Sequence, residues 1–456
     1  MINRRGDFSD GRISGIILKL GLPIMLAEMV HVLYSIVDRM YIGHMPGNGT
    51  AALTGLGVCF PLITLISAFA NLCSTGGATL STIARGEKDD EKAGRIMSTA
   101  FTMLLAIGAV LTVLLYLTSD QTLRMLGGDE ETLPQAKDYF LVYVLGTIPV
   151  LISLGMNPFI NAMGFPRVGM MTVLLGAASN IGLDPLFIYA LDMGIRGAAL
   201  ATVLSQLASA SWVVVFLTGR RAPVRLRKLL IDRSLLSGIV KLGITGFTFK
   251  VTNSVTQAAV NIMLKSWGGV IGALYIGSMG LINSLREIIG LPTNGLTAAG
   301  QSVMSYNYGA KEKGRVSESI RFTLLSSLSI NTILWALIML FPELLFLLFS
   351  SDRELISLTA RCARIYFGAF PMMSLQLTGQ TTFVALNYPG HALLFSLLRK
   401  IILVLPLTLL LPGIGLGVEG VFWAELFSQL FGASACFVTM YNLIWKRLKE
   451  RDGFQA

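Results

Sequence analysis

From His44 to Ile83 the chain carries no Asp, Glu, Lys or Arg, and from Tyr139 to Pro166 it again carries none. Each run exceeds the roughly 20 apolar residues with which a helix crosses the hydrocarbon layer of a membrane. In lipid a segment must satisfy its own backbone N–H and C=O groups, which an α-helix does within itself. Composition agrees. Only 14% of residues are charged and 53% are hydrophobic, whereas a soluble chain carries about 25% charged residues. Hydropathy places twelve spans, near 14–42, 51–83, 94–118, 137–162, 167–190, 197–219, 235–266, 271–304, 317–349, 355–385, 391–411 and 417–445. The expected fold is an all-α polytopic membrane protein with twelve transmembrane helices.

Those spans repeat. The stretch Gly194 to Gln206 recurs as Gly417 to Gln429 at an offset of 223, and at the same offset Gly77 meets Gly300, Gly86 meets Gly309 and Pro166 meets Pro389. Six spans fall in each copy, so both enter the bilayer in the same direction and are related by an axis along the membrane normal. This predicts two pseudo-symmetric six-helix bundles: an N-lobe over 1–219 (spans 1–6), a cytoplasmic linker over 220–234, and a C-lobe over 235–456 (spans 7–12). Two such bundles facing one another across a cavity are the architecture of a transporter.

The net charge of +10 would suit a nucleic-acid partner, but its placement argues for a lipid bilayer instead. Most Lys and Arg lie in alternate connections: Arg4, Arg5 and Arg12 at the start, then the stretches 85–95, 220–233, 311–321 and 446–451. Arg399 and Lys400 are counted with the same side, which requires span 11 to begin after them. The opposite connections hold few, among them Arg124, Lys137 and Arg196. This asymmetry is the positive-inside rule, and it places both termini in the cytoplasm of a multi-pass plasma-membrane protein. The Arg-rich segment from Gly219 to Arg233 is expected at the cytoplasmic lipid surface as a tether. No cleavable signal peptide is visible. Cys59, Cys73, Cys362 and Cys436 fall inside spans without metal-binding spacing, and no cofactor is implied.

An ionisable side chain in hydrocarbon costs on the order of 3 kcal/mol, so each one marks a candidate site. In span 1, Glu28, His31, Ser35 and Asp38 follow spacings of three, four and three and share one helix face. Arg39 is the candidate ion-pair partner of Asp38. In span 5, Asn180 and Asp184 lie one turn apart, and Pro185 frees a carbonyl one turn earlier. A carboxylate, an amide and a free carbonyl suit a proton or a small hard cation such as Na⁺; Thr202 in span 6 would add a hydroxyl. The bland alternative is a kinked helix whose polar groups satisfy one another. Lys250 in span 7, Arg286 and Glu287 in span 8 and Gln376 in span 10 complete the intramembrane polar set. Near Gly21 and Gly243 the offset slips to 222, making Lys250 the repeat mate of Glu28 and a candidate partner across the cavity.

The stretches Ser35 to Gly43, Asn180 to Pro185, Gly197 to Thr202 and Ser305 to Ala310, in that order on twelve spans, resemble the multidrug and toxic compound extrusion (MATE) family over essentially the whole chain. Within it they are most similar to the MepA-like bacterial branch. The resemblance implies antiport, with H⁺ or Na⁺ moving in and a drug-like compound moving out. The family's N-lobe cation site would fall on Asp38, Asn180, Asp184 and Thr202, with H⁺ or Na⁺ bound there. Relatives of the NorM type also carry acids in spans 7 and 10; here Lys250 and Gln376 stand near those places, which argues against a second cation site.

The expected function is therefore a cation-coupled antiporter exporting amphipathic drug-like or toxic compounds by alternating access. Its small-molecule substrate would meet a cavity lined by Glu28, His31, Ser35, Lys250, Arg286, Glu287 and Gln376, and the protein would act as a monomer. A flippase for a lipid-linked precursor is the alternative. An enzyme is disfavoured, since no nucleophile–base pair, phosphate loop or metal spacing appears. At the 223 offset the coupling residues are not repeated: Asp38 meets Asn261, Asn180 meets Leu403, Asp184 meets Leu407 and Thr202 meets Glu425.

Overall fold

The computed structural model describes residues 8–45, 49–130 and 132–449, and all regular structure within them is helical. Arg4, Arg5 and Arg451, counted above among the cytoplasmic bases, lie outside the described residues. The N-terminal repeat contains α1 (Ile13–Gly43), α2 (Gly49–Gly86), α3 (Asp90–Leu117), the short α4 (Ser119–Met125), α5 (Leu133–Leu145), α6 (Thr147–Ala162), α7 (Pro166–Pro185) and α8 (Gly194–Thr218). The C-terminal repeat contains α9 (Arg233–Gly268), α10 (Gly272–Gly309), α11 (Lys313–Leu340), α12 (Pro342–Phe346), α13 (Arg353–Tyr366), α14 (Met372–Ala385), α15 (Pro389–Leu397), α16 (Leu405–Leu410), α17 (Gly420–Met440) and α18 (Lys446–Lys449).

Among the described residues nine helical stretches are long and apolar enough to cross a membrane. Span 4 is a tenth, bent by 60° between α5 and α6. At the bend the Thr147 hydroxyl donates to the Val144 carbonyl at 2.6 Å, satisfying a group the broken helix leaves open. One of the nine stretches, Arg233–Gly309, has 77 residues and would reach roughly 115 Å if straight. It is two spans. A 3₁₀ turn at Gly269–Ile271 separates α9 from α10, Gly269 adopts φ +53°, and the Asn283 amide donates across the hairpin to Gln257 Oε1 at 3.1 Å. Span 10 is divided between α13 and α14, where Pro371 begins the second piece. The twelve-helix pattern thus holds, with spans 4 and 10 broken rather than continuous.

By packing, the chain forms two compact units, residues 1–10 with 22–250 and residues 11–21 with 251–456. The first helix of each repeat contributes a piece to each unit, and glycine makes that packing close. In the second unit a Cβ on Gly21 would lie 3.3 Å from the Gly295 carbonyl oxygen; in the first, a Cβ on Gly243 would overlap the Leu72 carbonyl. Gly21 with Gly243 and Leu72 with Gly295 are repeat mates, so the two contacts are one contact made twice. The linker is more than a surface tether: Ala222 and Val224 are buried, and the Leu226 N–H donates to the Leu217 carbonyl at 2.9 Å.

Candidate functional site

In the first unit the polar residues of spans 1, 5 and 6 converge. Asp184 is fully buried and Asn180 is 2% exposed. The Asn180 amide donates to Asp184 Oδ1 at 3.2 Å, as their one-turn spacing requires. The carboxyls of Asp38 and Asp184 face one another within hydrogen-bonding reach. Neither ionised carboxylate can donate, and Asp38 Oδ1, Asn180 Oδ1 and Asp184 Oδ2 are buried with no hydrogen-bond donor. An unsatisfied buried polar atom costs about 1–3 kcal/mol, so three oxygens in one place form a socket for a positive charge. Arg39 does not fill it: its guanidinium lies 4.8 Å from the Phe60 ring centre instead, and no ion pair to Asp38 occurs among the described residues.

Local structure sets this geometry. Pro185 ends α7 because it lacks an N–H, and a wider π-helical turn, Leu186–Ala190, follows at once. The turn is held from two sides. Its Tyr189 hydroxyl donates to the Tyr41 carbonyl of α1 at 2.7 Å. On α8, Gly197 sits so close that a Cβ there would lie 2.7 Å from the Phe187 backbone. Thr202, further along α8, donates to its own Ala198 carbonyl at 3.0 Å, with its side chain within hydrogen-bonding reach of Tyr139.

The remaining sequence-derived candidates separate. On α1, the Ser35 hydroxyl donates to the His31 carbonyl at 2.9 Å, the His31 ring meets Tyr34 edge-on at 5.0 Å, and Glu28 is half-buried. Lys250 is exposed on α9, within electrostatic reach of His31. Glu287 is exposed on α10. Gln376 is buried on α14, where its amide donates to the Phe395 carbonyl at 3.4 Å. Arg286 lines a pocket, beside Tyr366, Lys400 and Glu425. Here the positive-inside count needs correction. Arg399 and Lys400 are not in a cytoplasmic loop but in a π-helical stretch, Leu398–Val404, within span 11. Both form ion pairs with Glu425, at 3.5 and 3.4 Å.

The MatE family model matches the chain twice, over residues 23–186 and 251–410, once in each repeat. The chain belongs to the MATE family. Among curated proteins it is 24% identical to the multidrug export protein MepA of Staphylococcus haemolyticus over 442 residues, 96% of this chain and 95% of the relative. It is 23% identical to MepA of Staphylococcus aureus strain NCTC 8325 over 428 residues, 93% of each. Among solved structures, a MATE protein in complex with MaL6 superposes with a TM-score of 0.90 at 21% identity, covering 98% of this chain and 99% of that one. An outward-facing multidrug resistance MATE transporter of the MOP superfamily gives 0.88 at 22% identity, over 96% and 97%. These likenesses establish a MATE fold spanning the membrane.

Within this MATE chain the matched stretches contain Asp38, Asn180 and Asp184, whereas Thr202 and Glu425 lie beyond them. Residue-by-residue reading missed Tyr139 and Tyr143, buried and stacked at 5.8 Å beside the N-terminal site. Their signal was a one-turn spacing of hydroxyl-bearing rings inside a charge-free run. It also missed Lys400 and Glu425 as a buried pair, because their partnership is tertiary.

Proposed function

We propose that this chain is an antiporter that exports amphipathic organic compounds in exchange for H⁺ or Na⁺, by alternating access, with Asp38, Asn180, Asp184 and Thr202 as the coupling site. The supporting observation is the socket of three donorless oxygens on Asp38, Asn180 and Asp184. One proton between the facing carboxyls supplies the missing donor; Na⁺ would draw on the same oxygens as hard ligands. Ion and substrate bind preferentially to different arrangements, so each promotes release of the other. The MepA relatives named above support small-molecule export. The basic residues gathered in alternate connections support cytoplasmic termini.

The test is transport in vesicles holding the purified full chain, with ethidium as the dye and pH and Na⁺ gradients imposed separately. Export driven by one gradient and abolished in Asp38→Asn and Asp184→Asn is the expected result. Gradient-driven export that persists in both variants, at normal membrane levels, sinks the coupling assignment.

A further inference from the structure

We propose that the pocket of the C-terminal unit binds the oxyanion of an amphipathic organic acid between Arg286 and Lys400. The enclosed space is small, about 20 Å³, and partly open, which suits a charged head whose apolar body extends past the rim. Its charge does not balance. Arg286 and Lys400 line it against the single carboxylate of Glu425, and Arg399 stands just behind, on the other oxygen of the same carboxylate. Glu287, the next acid in sequence, is exposed and not part of the lining. Three basic residues thus share one buried carboxylate, where an uncompensated charge is costly, and Glu287 reaches Arg286 only from the exposed side.

The donors are also in surplus. Arg286 donates Nη1 to the Tyr366 hydroxyl at 3.1 Å; its other N–H groups have no acceptor among the described hydrogen bonds. A guanidinium offers five donors in a planar fork that fits the two oxygens of a carboxylate or phosphate. Lys400, 4% exposed, adds a point charge from the facing wall. Val260, Met279, Val404 and Val421 supply apolar surface around these charges. A charged head held by Arg286 and Lys400, with an apolar body against those side chains, is an amphipathic organic acid.

Repeat symmetry makes the same argument independently. The α9 face of this pocket is Asn253, Thr256, Gln257 and Val260, and these are the positions of His31, Tyr34, Ser35 and Asp38 moved by 222. The Gly21 and Gly243 contacts fix that register in the packing, which corrects the repeat mate of Asp38 from Asn261 to Val260. Tyr366 and Glu425 are the mates of Tyr143 and Thr202. The duplicated locus therefore gathers acids in one unit and bases in the other. A site for a cation in the first has become, by its residues, a site for an anion in the second.

As a substrate site this rests on the exporter reading, but binding does not. Full-length protein in nanodiscs of phosphatidylcholine is titrated with 1-pyrenebutyrate and with its neutral analogue 1-pyrenebutanol, followed by fluorescence anisotropy. The native protein is expected to prefer the acid by about tenfold or more, the scale of one hydrogen-bonded charge pair. Arg286→Gln is expected to remove that preference while leaving the affinity for the alcohol unchanged. The charge-neutral pair Lys400→Gln/Glu425→Gln avoids stranding a buried carboxylate and is expected to weaken it as well. Equal affinity of the native protein for acid and alcohol overturns the proposal, as does an undiminished preference in Arg286→Gln. Phosphatidylglycerol in the discs distinguishes the source of the oxyanion. Displacement of pyrenebutyrate that requires Arg286 assigns the site to a lipid phosphate; no displacement assigns it to a soluble acid. Acid binding without gradient-driven dye export leaves the site standing and removes the exporter reading. Export without acid preference does the reverse.

Discussion

The Lys400 ammonium lies 3.4 Å from Glu425 Oε2, with side chains only 5% and 6% exposed. The Gln429 amide donates to the other carboxylate oxygen at 3.3 Å. Glu425 is thus the common partner of Lys400, Arg399 and Gln429. Removing one member of a buried ion pair leaves the rest uncompensated, at a cost of about 3–5 kcal/mol.

Glu425→Gln is accordingly expected to destabilise the protein by about that amount, seen as earlier thermal unfolding in detergent. Adding Lys400→Gln is expected to restore part of the loss, since Arg399 still lacks its partner, a coupling that a double-mutant cycle measures directly. Strictly additive effects of the two substitutions would show that the pair is not energetically linked.

Asp38→Asn and Asp184→Asn are expected to behave oppositely to Glu425→Gln in stability. Each amide places a donor between two carboxyl oxygens that now have none, so thermal unfolding should hold or rise slightly, by up to about 1 kcal/mol. Dye export under a gradient should nonetheless be lost. A large fall in stability with either substitution would mean that the site serves structure, not coupling.

Gly197→Ala puts a methyl 2.7 Å from the Phe187 backbone, and Gly420→Ala repeats the clash, at 2.7 Å from the Pro412 nitrogen. Overpacking of this kind costs about 1–3 kcal/mol. Both variants should unfold earlier, and Gly197→Ala should also impair export, because the π-helical turn behind Asp184 must move. Gly182→Ala meets nothing within 4 Å and is the control; equal effects at all three positions would rule out the close-approach argument.

At the linker, Asp232 accepts from the Ser234 hydroxyl at 2.6 Å and from its N–H at 3.0 Å, and Arg95 lies 3.3 Å away. The Ser234 bonds first, and then Arg95, hold the Asp232 carboxyl below its ordinary range. A depressed folded pKa contributes stability above the unfolded value, near 4, and loses it as pH falls through the folded value. Hydrogen exchange in the first turn of α9 should therefore quicken below about pH 4, after correction for intrinsic rates. Asp232→Asn should show the faster exchange at neutral pH, with no further acid step. Identical profiles for the two proteins would remove Asp232 as the anchor.

The membrane fold was legible because its causes are one-dimensional. Charge-free runs and the 223 offset each follow from helix geometry and the cost of charge in lipid, and each survives as packing. Asn180 and Asp184 could be paired from sequence, since one helical turn joins them. Their meeting with Asp38 could be expected only from family resemblance, because nothing local brings α1 to α7.

What only tertiary structure decided is where compensation comes from. Arg399 and Lys400 read as loop residues, since bases inside a span are prohibitive without a partner; Glu425, on the following helix, is that partner. Register was decided in the same way. The 223 offset gave Asn261 as the mate of Asp38, and the contact of Gly243 with Leu72, repeated as Gly21 with Gly295, corrects it to Val260. The chain itself determined that two similar helical bundles cross a membrane, because burial of backbone and charge is settled segment by segment. Which polar groups meet was set by close approach between helices, and that made one unit's locus acidic and the other's basic.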